Sequence, residues 1–313
     1  MLNLFTTLRC WKARRSRIRV IRLASFTNEK DYIAYLVHPL KQPRNLPVVL
    51  FWKKGEYSGR MVLQHPFIGI DSLEETNQIV VCTFHSVLWG GIASARKNRI
   101  DLPDDFLFHV SFFSPGRKQV WLGGLQCGTE PTYVFAFVDL GTKEIRTVPL
   151  PEWPFGLFES ETGRPQVITR TSLYTYEGGC FRLQEKHGKD NLLYVGQRPN
   201  RHFIFGRKAG EEFYLLEWPE GQIRSGICWR DLCLSRDTIW LLFQKEVPSL
   251  ECYTSQGSRM TQVRLKEMPI SLGPRPQGGV WLFYPDYSIE VYEPDGKVKK
   301  YEPFLEKSIR EIL

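Results

Sequence analysis

The sequence predicts an all-β chain assembled from repeated four-stranded units. Three recurring marks in one register predict it: a β-branched–Trp–Leu triplet, a glycine at the tip of a hairpin, and a proline closing the strand that follows. The triplet stands at Val120-Trp121-Leu122, Ile239-Trp240-Leu241 and Val280-Trp281-Leu282. Its last two copies are 41 residues apart, and the first two are 119 apart, three steps of roughly 40. Around each copy apolar residues alternate with period 2 and are rich in Val, Ile, Tyr, Phe and Trp, which is strand chemistry rather than that of a helical solenoid.

The glycine mark repeats the period independently. A tight turn between two strands favours residues that tolerate positive φ. Glycine recurs at Gly55, Gly141, Gly178, Gly221, Gly257 and Gly296, with steps of 37, 43, 36 and 39 between the last five. The missing tip between Gly55 and Gly141 falls near residues 93–99, "ASARKNR". Proline cannot donate to a ladder and suits the place where an outer strand stops; it stands there at Pro66, Pro103, Pro151, Pro269 and Pro303.

The marks divide residues 18–303 into units starting near 18, 67, 105, 153, 189, 227 and 267. In the last of them "PISLGP" is the inner strand, "GVWLFY" the second, "SIEVYE" the third and "KVKKYEP" the outer. The unit starting near 153 lacks the tryptophan. Residues 1–17 form a basic leading segment, and residues 304–313, "FLEKSIREIL", read as a short C-terminal helix. The leading "LNLFTTL" offers an alternative strand for the last unit.

Residues 18–303 resemble the β-propeller superfamily, with seven four-stranded blades expected and six as the alternative. The stretch "GGVWLFYPDYSIEVYEPDGK" is similar to blades of NHL type and of sensor-kinase propellers, without their Asp-x-x-Asn-x-Arg element. A Trp-Asp dipeptide is absent, and the glycine pairs fall at different places in the unit, so neither a WD40 nor a kelch register is complete.

Composition narrows the function classes. With 42% hydrophobic and 13% aromatic residues, the 313-residue chain can bury a large core. No apolar run approaches the ~20 residues of a membrane helix. The leading segment has its apolar part before its basic part, the reverse of a secretory signal; its acid-free, Arg-rich character leaves an organelle-targeting reading open. Seven cysteines, scattered and never spaced C-x-x-C, read as small buried hydrophobes of a reducing, cytoplasmic compartment. No nucleotide-binding, nucleophile-elbow or zinc-protease motif is present, and no cofactor or metal is expected. Of six histidines only His109 falls on a predicted inner strand, while His38 and His85 end second strands.

The net charge of +8 raises the question of an anionic partner. Basic residues concentrate on the predicted outer strands, Arg146, Arg182, Arg259 and Lys299 among them, where they read as protection against edge-to-edge pairing. The run Arg9, Lys12, Arg14, Arg15 and Arg17, continued by Arg19 and Arg22, is the one segment suited to contact phosphates or an acidic protein. Bulky aromatics beside charges mark the connecting loops: Trp153 and Phe155 in "PEWPFG", Trp229 and Arg230 in "CWRD", and Tyr284, Asp286 and Tyr287 in "YPDY". Trp, Tyr and Arg dominate protein interfaces, so these seven residues are the expected partner-binding set. The sequence therefore points to a non-enzymatic propeller acting as a protein-interaction platform or scaffold subunit. Its alternatives are a lactonase- or lyase-like propeller enzyme with a channel metal, a nucleic-acid accessory protein using the basic arm, and a propeller partnered with a MoxR-type ATPase system.

Overall fold

A computed structural model describes the backbone of residues 18–26, 32–39, 48–53, 56–73, 78–91, 97–187, 192–197, 203–209, 212–218, 221–224, 229–244, 246–254, 256–275, 278–284 and 288–301. The expected C-terminal helix and the basic leading segment lie outside these residues, as do Gly55, Cys10 and Cys228.

The described residues form seven four-stranded antiparallel sheets, each built from one contiguous stretch of chain with its strands in sequence order. The first sheet is β1 (Ile18–Phe26), β2 (Tyr32–Pro39), β3 (Val48–Lys53) and β4 (Glu56–Val62). The second is β5 (Phe67–Leu73), β6 (Gln78–Thr83), β7 (Ser86–Gly91) and β8 (Asn98–Asp101). The third is β9 (Phe106–Ser114), β10 (Gln119–Gln126), β11 (Thr132–Asp139) and β12 (Ile145–Leu150). The fourth is β13 (Gly156–Glu159), β14 (Pro165–Ile168), β15 (Ser172–Glu177) and β16 (Cys180–Lys186). The fifth is β17 (Leu192–Gln197), β18 (Phe203–Ala209), β19 (Glu212–Trp218) and β20 (Gly221–Arg224). The sixth is β21 (Asp231–Ser235), β22 (Thr238–Phe243), β23 (Ser249–Tyr253) and β24 (Arg259–Arg264). The seventh is β25 (Ser271–Pro274), β26 (Val280–Phe283), β27 (Ile289–Tyr292) and β28 (Val298–Tyr301).

The chain gathers into two compact units, residues 65–227 and residues 1–64 with 228–313. In the first, the inner strands of consecutive sheets lie side by side: β5 beside β9, β9 beside β13, and β13 beside β17. In the second, β21 lies beside β25 and β25 beside β1, so the last sheet of the chain packs against the first.

Both faces of β6, β10, β14, β22 and β26, each the second strand of its sheet, are buried, which is why the triplets read as unbroken apolar runs. In β10, Val120 and Leu122 pack against the second sheet with Val80, Trp89 and Ile100. Trp121, pointing the other way, packs with Leu157, Val167, Tyr174 and Phe181 of the fourth. Trp240 does the same in the other unit, lying with Val280 and Leu282 of the next sheet. The indole N–H of each tryptophan donates to the side chain two residues earlier, Gln119 Oε1 at 3.4 Å and Thr238 Oγ1 at 3.0 Å. In the fourth sheet, which has no tryptophan in this place, β14 supplies the fully buried Val167 and Ile168.

One turn departs from the expectation. Gly178, Gly257 and Gly296 have positive φ, but in the β11–β12 turn the left-handed residue is Lys143 (φ 64°) and not Gly141. Asp139 stabilises that turn instead: its Oδ1 accepts the backbone N–H of Gly141 and of Thr142, both at 2.9 Å. The cysteine expectation also divides. Cys82, Cys233 and Cys252 are buried, with burial pushing the Cys82 and Cys252 thiols up to about 12, whereas Cys127 and Cys180 are exposed.

Candidate partner-binding surface

In the 65–227 unit, the connection from β12 to β13 carries Trp153 and Phe155, both half-buried. It is short and held by two prolines, Pro151 and Pro154. Glu152 fixes its start. Its carboxylate accepts hydrogen bonds from Thr169 Oγ1 (2.5 Å), Tyr174 Oη (2.9 Å), Thr171 Oγ1 (3.1 Å) and Ser172 Oγ (3.3 Å). Burial works against its charge, but these four donors outweigh burial and hold Glu152 below the usual carboxylate range. All four belong to β15 and the β14–β15 turn, so a single carboxylate ties the connection to the sheet that follows it.

His109, on β9, fixes the middle. Its Nε2–H donates to the Pro154 carbonyl at 2.7 Å. Its ring lies against the Trp153 indole with centroids 4.0 Å apart and planes 14° from parallel. Tyr133 meets the same indole edge-on at 5.9 Å. Burial lowers the His109 pKa to about 4, only partly opposed by the Pro154 bond, so the ring is neutral at pH 7. The close approach of Pro154 needs a glycine on β10: a Cβ at Gly123 would lie 2.8 Å from Val110 Cγ2 and 3.1 Å from Pro154 Cβ. Phe155 N–H donates to the Ile168 carbonyl at 2.7 Å, closing the connection onto β14.

The expected residues of the other unit sit differently. Trp229 is buried, 8% exposed, and Arg230 is half-buried with its backbone N–H on the Leu242 carbonyl at 2.7 Å. Tyr284 is 4% exposed, and its hydroxyl donates to Glu290 Oε2 at 2.8 Å. Tyr292 donates to the same oxygen at 2.7 Å, and Lys300 Nζ lies 3.7 Å from Oε1. Burial, foremost, pushes both tyrosines up, so neither ionises near neutrality. Tyr284 is thus a packing residue that anchors its sheet, while Asp286 and Tyr287 lie outside the described residues. So do Arg9, Lys12, Arg14, Arg15 and Arg17.

Sequence reasoning did not single out Glu152, or the glutamate–tyrosine pairs of the third strands. Glu251 with Tyr253 on β23, and Glu290 with Tyr292 on β27, recur 39 residues apart. In each pair the tyrosine hydroxyl bonds the carboxylate, and a base of the outer strand (Arg259 at 4.0 Å, Lys300 at 3.7 Å) faces it. The spacing of these pairs was a readable sign of the repeat. Among histidines, His85 packs edge-on against His65 with centroids 5.0 Å apart. Among the described residues no three His, Cys, Asp or Glu side chains gather as metal ligands.

No protein-family description matches the chain, and no curated protein matches it by sequence. Solved structures do. An acylaminoacyl peptidase of Pyrococcus horikoshii matches 94% of this chain with a TM-score of 0.66 at 8% identity. The chain spans about half of that protein, 54% of its length. A functionally unknown protein of Desulfotomaculum acetoxidans matches 82% of this chain and 92% of its own, with a TM-score of 0.56 at 11% identity. A chain of a mitotic checkpoint complex matches 77% of this chain and 78% of its own, with a TM-score of 0.53 at 10% identity. Likeness at this level of identity establishes the fold, an all-β propeller, and leaves function to the residues.

Proposed function

We propose that this chain is a binding platform for a protein partner, its four-stranded sheets forming the seven blades of one propeller, with Trp153 and Phe155 as the principal contacts. The observation that carries the reading is the set of hydrogen bonds and ring contacts that ties down the Glu152–Phe155 connection, combined with its half-buried rings. A surface aromatic that only filled a gap would not need a carboxylate with four hydroxyl donors, a histidine stack and a glycine-permitted close approach around it. Preorganisation of that kind reduces the ordering cost of association, and large rigid aromatics supply contact area at low entropy.

Arg230 remains a candidate contact of the second unit, while burial of Trp229 and Tyr284 turns their replacement into a test of stability. The experiment therefore shifts to the first unit: affinity purification of the intact protein beside a Trp153→Ala/Phe155→Ala variant of matched thermal stability. The expected result is that specific partners recovered with the wild type are lost with the variant. Recovery of the same partners by both would remove the reading.

A further inference from the structure

A second surface lies at the other end of the same strands, where the β9–β10, β11–β12, β13–β14 and β15–β16 turns of two neighbouring sheets enclose a groove of about 670 Å³. Four arginines line it: Arg117, Arg146, Arg164 and Arg182. Of these four, Arg164 is paired with a carboxylate, that of Glu177. Arg117 is held by one bond from Nε to the Gly163 carbonyl at 3.0 Å, which does not engage its terminal nitrogens. Arg146 has its guanidinium carbon over the Phe137 ring, 4.4 Å from the centroid, and 5.4 Å from that of Tyr176, with Nη1 donating to Tyr176 Oη at 2.8 Å. Edge protection requires only charge and exposure. A guanidinium set over one ring and hydrogen-bonded to a second is oriented as well as charged, which suits recognition of a planar acceptor.

We propose that this groove binds an extended, carboxylate-rich peptide segment. The arginines supply two-pronged donors that match carboxylates. β12 (Ile145–Leu150), which carries Arg146, is the last strand of its sheet and leaves one edge open beside the groove. An extended peptide laid along such an edge presents every second side chain to one side, about 7 Å apart. The unpaired backbone edge of β12 is what favours a peptide over a nucleic acid, which has no backbone ladder to pair with it. Asp139, Glu144 and Glu177 share the lining and restrict the acids of the segment to positions that face the arginines. The inference is independent of the Trp153 surface, which lies at the opposite end of the strands.

The test is fluorescence anisotropy at low salt with a labelled peptide of alternating Glu and Ala, beside a single-stranded DNA oligonucleotide of equal charge. The expected result is salt-sensitive peptide binding that exceeds binding of the oligonucleotide. Arg117→Ala/Arg182→Ala should weaken it at least about tenfold. Arg146→Lys, which keeps the charge but loses the planar fork, should weaken it as well, and Trp153→Ala/Phe155→Ala should leave it unchanged. Absence of peptide binding, insensitivity to the arginine substitutions, preference for the oligonucleotide, or loss in the Trp153/Phe155 variant would each overturn the proposal. Only the last of these would move the peptide to the aromatic surface and so bear on the platform reading.

Discussion

The imidazole of His109 lies flat on the indole of Trp153, centroids 4.0 Å apart, although the residues are separated by one repeat of the chain. The stack joins the inner strand of one sheet to the connection that leads into the next. It sets the orientation of the ring on which the proposed partner surface depends.

The stack predicts an acid sensitivity. Burial lowers the His109 pKa to about 4 in the folded chain, against 6.5 for an ordinary histidine. Above about pH 6.5 the ring is neutral in both states and contributes no pH dependence. As pH falls from 6.5 towards 4 the unfolded chain binds the proton first, so stability is lost over that window, by on the order of 2–3 kcal/mol. His109→Phe keeps the stack and removes the proton site. Thermal melts between pH 7 and 4.5 should fall less steeply for this variant, and equal slopes would contradict the assignment.

Glu152 predicts a loss at neutral pH. Replacing it by Ala leaves the Thr169, Thr171, Ser172 and Tyr174 hydroxyls without their common acceptor. The expected destabilisation is about 2 kcal/mol, the usual scale for a hydrogen-bonded charge. Chemical denaturation measures it. Because the folded pKa of Glu152 is depressed, its contribution is present above the ordinary carboxylate pKa and is lost as pH falls below it, so wild type and variant should converge in acid.

The glycine pair before Trp281 predicts a contrast with the pair at the β15–β16 turn. Gly279 has φ 83°, and a Cβ there would lie 2.3 Å from the Tyr292 carbonyl oxygen. Gly179 has φ 93° but nothing within 4 Å. Gly179→Ala meets only backbone strain, about 1–2 kcal/mol, whereas Gly279→Ala must also move a strand and should cost clearly more. Equal melting temperatures for the two variants would show that the β27 backbone yields freely.

These contrasts mark what was legible in the sequence. Trp121, Trp240, Gly178 and Gly296 announce the repeat because strand alternation and turn geometry act on neighbours in the chain. The ties that build the surfaces act across one repeat: His109 to Pro154, Ser114 to Glu159 at 2.7 Å, and Arg117 to Gly163. Each joins residues 45 or 46 apart, a relation visible only once the sheets are set side by side. For that reason Arg146 and Arg182 read as edge protection in the sequence, and Glu152 is not singled out there at all. Trp229 and Tyr284 read as partner contacts because loop position is legible in a sequence and burial is not.

The most direct test of the platform account is site-specific photo-crosslinking, with benzoylphenylalanine at Phe155 and, in a separate variant, at Leu183, which is 49% exposed on the outer strand β16. In the native host, position 155 should trap a discrete protein partner and position 183 should not. A partner trapped from position 183 alone, or from neither position, would contradict it.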